Sequence, residues 1–390
     1  MKILQINKFF YPRGGTETYF LSLIELLKKN GHEVVVFSQK NKKNLPSNEA
    51  GYFISDINLE KFHFKNIFKI GRIFWSFSAA RKIKKLIKKE KPQIAHIHNI
   101  YHQISPSILP AIKKAGLPIV MTVHDFKLIK PDYVLRANGK KVKHKNSLLA
   151  EALVGLEFYF HKWLKIYEKN VDIFIAPSNF VKNQLVRNGF DLNKIIVQPH
   201  FIDTTALQNK PPSKTETSYI LFFGRLDESK GVDTLIKAIK GINIKLKIVG
   251  NGPQEAKLKK LVHKLALNNR VEFLNAQNKE DLKETIARCL FAVFPSRIHE
   301  TFGFGVVESY VLGKPVIATR VGAFTEIIQH NQTGILVNID DEIQLKQAIE
   351  YLIDKPDNII KLGAKAKEFV KNFNAHNHYQ KLMEIYQKLL

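Results

Sequence analysis

The 390-residue sequence predicts an α/β protein of two doubly wound domains facing each other across a central cleft. Three observations carry this. Short apolar runs alternate with amphipathic helical stretches along both halves of the chain. In the second half these runs start roughly 20–26 residues apart, the beat of repeated strand–helix units. Between the halves lies "DTTALQNKPPSKTETS", residues 203–218, a polar stretch with Pro211-Pro212 that reads as a linker. The length is long for one core and comfortable for two.

The first domain, residues 1–202, opens with the strand "KILQI" and the loop "NKFFYPRGG". "TETYFLSLIELLKKNGH" is a helix, because Phe20, Leu23, Ile24 and Leu27 share one face and Gly31 stops it. "EVVVF" is the next strand, and "SAARKIKKLIKKEKP" is a basic helix ended by Pro92. "QIAHIH", "LPIVMTV", "VDIFIAP" and "KIIVQP" follow as strands, apolar on both faces as a covered parallel sheet requires. The second domain, residues 219–374, repeats the pattern with "YILFFG", "IKLKIVG", "RVEFLN", "LFAVFPS", "KPVIAT" and "GILVN". Ligands of such sheets sit beyond the carboxyl ends of the strands, so function is sought in the loops there.

Composition narrows the class. Apolar residues make up 45% and charged residues 25%, the profile of a globular protein. The single cysteine, Cys289 in "RCLFAVFPS", excludes an internal disulfide or a cysteine-rich zinc site and reads as a buried thiol in a reducing, cytoplasmic setting. The best candidate for a membrane span, "SLLAEALVGLEFYF", is interrupted by Glu151 and Glu157, and the N-terminal apolar run is too short for a secretory signal. Net charge is +26, and it is lopsided: residues 1–200 hold 34 Lys/Arg against 14 Asp/Glu, the rest 27 against 21. A nucleic acid, an anionic membrane face or an acidic substrate would each suit the basic half, as would simple solubility.

Chemistry gathers at strand ends. Gly14-Gly15 precede a helix, where bare amides suit a phosphate or form a tight turn. In "FFGRLDESKGVD", Arg225 and Lys230 follow a strand directly and are bracketed by Gly224 and Gly231; two fixed cations there suit a diphosphate. Gly250 and Gly252 in "VGNGPQ" allow a turn or close ligand approach. In "PSRIHETFGFGVVES" a helix begins near Gly303–Gly305, so Thr301, Phe302, Gly303 and Phe304 can aim backbone N–H groups at an oxyanion. Glu300 precedes that helix and Glu308 lies within it; a carboxylate can accept from the vicinal hydroxyls of a sugar or ribose. His124 closes a strand and suits proton handling or donation to a reacting group, while His96 and His98 share one side of the preceding strand, His96 in a structural role. No D-x-D pair occurs in the sequence, so metal-bridged diphosphate binding finds little support and no metal is expected.

In this order the motifs "PQIAHIHN", "TVHD", "APSNF", "FFGRLDESKGVD" and "PSRIHETFGFGVVES", followed by "GKPVIATRVGAFTEII", resemble those of family-4 retaining glycosyltransferases, the group 1 enzymes of GT-B fold, over nearly the whole chain. The spacing E-x7-E of Glu300 and Glu308 is the most specific of them. The resemblance implies two Rossmann-like domains and a C-terminal helix, about residues 375–390, crossing back to the first. It implies that Glu300 contacts a donor hexose, Glu308 the ribose, and Arg225 and Lys230 the leaving phosphates, with Gly15 supporting the phosphates and His124 near the anomeric centre. The cations then stand in for a metal ion. Thr301, "ESYVLGKP", Ala323 and Thr325 depart from the family pattern and bear on donor choice. Two other readings are a non-hydrolysing sugar-nucleotide epimerase on the same fold and a basic membrane- or nucleic-acid-binding protein; the second leaves the acid and cation pairs unexplained.

The expected activity is therefore hexosyl transfer from a nucleotide-diphospho-sugar to a glycan or lipid-linked acceptor, without nucleic acid as partner. The segment 61–91 interleaves Phe62, Phe64, Phe68, Phe74, Trp75 and Phe77 with eleven Lys/Arg, and "EFYFHKWLKIYEK" repeats the theme. Lys82, Lys84, Lys85, Lys88, Lys89 and Trp75 are expected to dock the first domain on an anionic membrane, placing the enzyme on the inner face of the plasma membrane.

Overall fold

Each apolar run of the sequence becomes one strand of a parallel sheet. The computed structural model describes residues 1–56, 67–102, 104–137, 148–202, 204 and 219–390. The chain divides into two units, Met1–Val134 with Val142–His200 and His376–Leu390, and Leu135–Lys141 with Phe201–Ala375.

The first unit runs β1 (Lys2–Ile6), α1 (Gly15–Lys29), β2 (Glu33–Phe37), α2 (Ile67–Phe74), α3 (Phe77–Glu90), β3 (Ile94–Ile97), α4 (Ile108–Lys114), β4 (Ile119–Thr122), α5 (Leu148–Trp163), α6 (Ile166–Asn170), β5 (Ile173–Ala176), α7 (Asn179–Arg187) and β6 (Ile195–Val197). Its sheet has the order β2-β1-β3-β4-β5-β6. The second runs β7 (Tyr219–Phe223), α8 (Val232–Ala238), β8 (Lys245–Val249), α9 (Glu255–Lys264), β9 (Val271–Leu274), α10 (Lys279–Arg288), β10 (Ala292–Phe294), α11 (Phe304–Val311), β11 (Val316–Thr319), α12 (Phe324–Ile327), β12 (Gly334–Val337), α13 (Glu342–Asp354) and α14 (Pro356–Phe369), with sheet order β12-β11-β10-β7-β8-β9. A last helix, α15 (Ala375–Leu389), packs with the first unit.

The local rules of the sequence hold. The apolar face of α1 is buried through Phe20, Leu23, Ile24 and Leu27, and the chain leaves the helix through Gly31 at φ 78°. Ser76 caps α3 by accepting from the Ala79 amide at 3.2 Å. In the second unit, strand alternation feeds two cores. Ile220 and Phe222 of β7 join Leu235 of α8, Leu258 of α9 and Ile349 of α13. Tyr219, Leu221 and Phe223 join Val307 and Tyr310 of α11 and Ala366 of α14 on the other face. Cys289 is fully buried, as expected, and burial pushes its thiol up to about 12.

One boundary differs from the sequence reading, which assigned all of 1–202 to the first domain. Leu135, Arg136 and Ala137 pair with the loop after β10: His299 N–H donates to Leu135 O at 2.7 Å and Ala137 N–H to Arg297 O at 3.1 Å. Bridging between distant backbone segments leaves no local pattern to read. The expected linker, 203–218, lies outside the described residues apart from Thr204.

Candidate active site

In the second sheet the winding reverses between β7 and β10, which brings the loops after these strands side by side. Lys230 from one loop and Glu300 from the other form an ion pair, Nζ to Oε1 2.6 Å. Ser296 Oγ donates to the same carboxylate oxygen at 2.8 Å. Both members are half-buried. Burial pulls the Lys230 ammonium down, but the Glu300 carboxylate more than offsets this and leaves its pKa raised, so the cation is held firmly charged. Arg225 is 72% exposed, with Nε 3.5 Å from Asp227. The site thus offers a fixed ammonium and an exposed guanidinium fork at one strand end.

The scaffold of this pair was missed by sequence reasoning. Arg297 donates to both Asp233 oxygens at 2.8 and 2.9 Å, to Glu228 O at 3.0 Å and to Asp340, tying the β10 loop to the β7 loop and to α8. Its own amide donates to Ser229 O at 2.7 Å. Across the turn after β11, Gly322 N–H donates to His299 Nδ1 at 3.0 Å and Ala323 N–H to Glu300 O at 2.9 Å. Gly322 has φ 49°, and a Cβ there would fall within 2.7 Å of the Glu300 nitrogen. The glycine is thus required by the backbone that carries Glu300.

Downstream, Thr301 is half-buried, and Phe302 is buried with its ring 5.2 Å from Phe304 and 5.6 Å from Phe373. The Phe302 ring belongs to the core. Gly303, at φ 108°, caps the N-terminus of α11, where the sequence placed a helix start. Glu308 lies one turn into α11, half-buried, and burial raises its carboxyl to about 7 against the weaker pull of Lys279. Gly250 sits at φ 141° with the space for a Cβ occupied by Gly224 O, so packing between two loops explains that glycine without a ligand.

The first unit holds the other expected residues. Its sheet reverses between β1 and β3. Gly14 and Gly15 open α1 as expected, and the first turn carries the buried Glu17, whose carboxyl is raised by burial. His124 is buried in a row of stacked rings: His96–His98 at 4.6 Å, His98–His124 at 5.2 Å and His124–His200 at 5.0 Å. His98 Nδ1 and His124 Nε2 are 2.9 Å apart in a hydrogen bond, and His98 Nε2 bonds Gln5 Oε1 at 2.9 Å. His96 joins Tyr386 of α15 at 2.6 Å and Thr122 at 2.7 Å, as its structural reading required. Burial lowers His124 and His96 to about 3. His124 is therefore a neutral imidazole near neutral pH, suited to hydrogen bonding and not to donating a proton as an imidazolium. His200 extends the row and His378 reaches it through Tyr19; neither was singled out in the sequence, because they arrive from chain segments far from β3 and β4.

A model of Glycosyltransferase Family 4 matches residues 13–206, and one of Glycosyl transferases group 1 matches residues 203–372. The chain belongs to the group 1, family 4 glycosyltransferases. An uncharacterised glycosyltransferase of Methanocaldococcus jannaschii is 27% identical, covering 100% of this chain and 99% of its own. An uncharacterised protein in the cps region of Klebsiella pneumoniae is 27% identical over 92% of this chain and 95% of its own. In fold, the glycosyltransferase is similar to Anabaena HepE, solved in complex with UDP-glucose, with TM-score 0.74, 19% identity and full coverage of both chains. Its two parallel α/β units are those of the GT-B class.

The basic segment of this glycosyltransferase differs from expectation at two residues, Lys82 and Trp75. Lys82 is drawn inward to donate to Phe53 O at 2.6 Å. Trp75 is half-buried, while Lys89 stays exposed as it pairs with Glu90 at 3.5 Å. Lys84, Lys85 and Lys88 are exposed. Phe62 and Phe64 lie outside the described residues.

Proposed function

We propose that this glycosyltransferase moves a hexose-type sugar from a nucleotide-diphospho-sugar to a glycan or lipid-linked acceptor, with retention at the anomeric carbon and without a metal ion. The observation that carries the reading is the Lys230–Glu300 pair beside Arg225, where the second sheet reverses. As the bond from the anomeric carbon to the diphosphate breaks, negative charge grows on the leaving oxygen. Lys230 and Arg225 stabilise that charge, and the N-terminal dipole of α11 adds to them. Glu300 then accepts from hexose hydroxyls, and Glu308 accepts from the ribose pair. His124, neutral, hydrogen-bonds the sugar, and Gly14 and Gly15 allow backbone amides to approach the phosphates.

UDP-glucose bound to HepE supports a nucleotide-sugar as donor class, and the Klebsiella relative supports a role in surface polysaccharide or glycolipid synthesis. The family's models favour transfer over the epimerase reading. We place the enzyme in the cytoplasm, peripheral on the inner face of the plasma membrane, where a lipid-linked acceptor would be presented. Proton NMR of the product formed from an α-linked nucleotide-sugar in the presence of EDTA tests the chemistry. An α-configured product is expected. A β-configured product overturns retention, and turnover that returns only with magnesium or manganese overturns the metal-free part.

A further inference from the structure

Helix α5 turns Glu157 and His161 inward and Tyr159, Phe160 and Trp163 outward. Glu157 is fully buried, with Oε2 at 3.0 Å from Lys127 Nζ and 2.9 Å from His102 Nδ1. Beside it His161 is buried and bonds Phe74 O at 2.7 Å through Nε2. On the opposite face Leu156 is 61%, Tyr159 65% and Trp163 78% exposed, with Phe160 beside them at 36%. These positions, at spacings of three, four and seven, form one stripe. Rotating the helix would cover the rings, but it would also tear a buried carboxylate from the Lys127 ammonium and the His102 imidazole, a costly exchange. The outward rings therefore follow from the ionic anchor beneath them.

A second exposed ring adjoins the stripe. Phe74 of α2 packs on Phe160 at 5.8 Å, and three residues on, Phe77 heads α3 with 78% exposure. Phe77, Arg81, Lys84 and Lys88 are all exposed and recur at helical spacing down one face of α3. On the other flank Lys162 and Lys165 are exposed around Trp163. A contiguous apolar stripe of Trp, Tyr, Phe and Leu between two sets of exposed lysines is the pattern of an interfacial helix, and isolated soluble proteins rarely expose such a patch. No helix among the described residues is long and apolar enough to cross a membrane, so the contact is with its surface.

We propose that the outward face of α5, with Phe77 and the basic stripe of α3, seats the first unit on an anionic lipid bilayer. Rings enter the headgroup boundary, and Lys84, Lys88, Lys162 and Lys165 meet lipid phosphates. A second copy of the chain is a poor occupant, since it would bring lysine against lysine on a protein of net charge +26. The inference deepens the membrane location proposed above and does not depend on the donor chemistry.

Vesicle co-sedimentation of the full chain, without donor, tests it. Mixed phosphatidylglycerol–phosphatidylcholine vesicles should bind the protein, with added salt weakening binding, and pure phosphatidylcholine vesicles should not. Because the chain has two tryptophans, Trp75→Phe leaves Trp163 as the only one, and its emission should shift to the blue on the anionic vesicles. Trp163→Ser with Phe77→Ser should lower the partition coefficient at least about tenfold. Lys84→Ala and Lys88→Ala should each lower it about fivefold. Unchanged melting temperatures of these surface variants show that they remain folded. Vesicle binding that survives all four substitutions, or a Trp163 emission that does not move while the protein sediments, overturns the proposal. So does a chain that ignores vesicles and instead self-associates or binds single-stranded DNA.

Discussion

Lys230 keeps its charge in a half-buried place because Glu300 lies 2.6 Å away, and Glu300 gains a specific position in return. Glu308 is tuned the other way, since burial without a close cation holds its carboxyl near about 7. The two acids of one motif should therefore respond differently to change. Glu300→Ala should chiefly depress kcat, because a group at the reacting sugar acts most in the transition state. Glu308→Ala should chiefly raise the donor KM, because a ribose contact serves ground and transition states alike. Donor affinity should weaken as pH falls through about 7, when Glu308 takes up a proton and loses a carboxylate acceptor, and Glu308→Gln should flatten that profile. Steady-state kinetics and donor titration on both sides of neutrality check this; the reverse split, or an equally steep profile in Glu308→Gln, contradicts it. The sign for stability is opposite to that of a salt-bridged acid. Between the ordinary 4.5 and about 7 the folded chain binds more protons at Glu308 than the unfolded chain does, so this group's contribution to stability is lost as pH rises.

Loops hold these residues only because several elements lock them. The turn after β11 presses on the backbone of Glu300, so Gly322→Ala combines a strained φ with a backbone clash. It should cost roughly 1–3 kcal/mol and lower turnover further than the stability loss explains, by shifting Glu300. Thermal unfolding and kcat on the same preparation check it, and a wild-type pair of values contradicts it. At this scale the sequence was legible where signals are local. Apolar runs marked the strands, and Gly31 and Gly303 marked a helix end and a helix start. The spacing of Glu300 and Glu308 marked the candidate site before any geometry. Arg297 and Asp233 could not be paired in advance, because 64 residues separate them and nothing in either motif says that one meets the other. Helix α5 is apolar nearly all round, so its composition could not say which face turns inward. That was decided by Lys127 and His102, which lie outside it. For the same reason Lys82 read as a surface cation until Phe53 O claimed it.

Across the whole molecule the two units differ in kind. The second is a layered apolar core with ion pairs at its loops. Through the first runs a row of buried imidazoles that reaches α15, with His378 Nε2 2.9 Å from Tyr19 OH and Nδ1 2.9 Å from Pro199 O. Burial lowers His96 and His124 to about 3 and His378 to about 4, each from 6.5. Below 6.5 the unfolded chain binds protons that the folded unit refuses, so stability falls as pH drops from there toward these values. Hydrogen exchange should show protection of β3 and β4 declining with acid before that of β7 and β8. A uniform decline over both sheets contradicts a histidine origin.

In the proposed reaction the cations where the second sheet reverses carry the charge of a departing nucleoside diphosphate. The most direct measurement is nucleoside diphosphate release from a panel of nucleotide-sugars, with EDTA present, by the wild type and by Lys230→Met. Release by the wild type and a fall of roughly 10²–10³ in kcat for the variant are predicted. Equal release by the two proteins, or wild-type release from no nucleotide-sugar unless a divalent metal is restored, would contradict it.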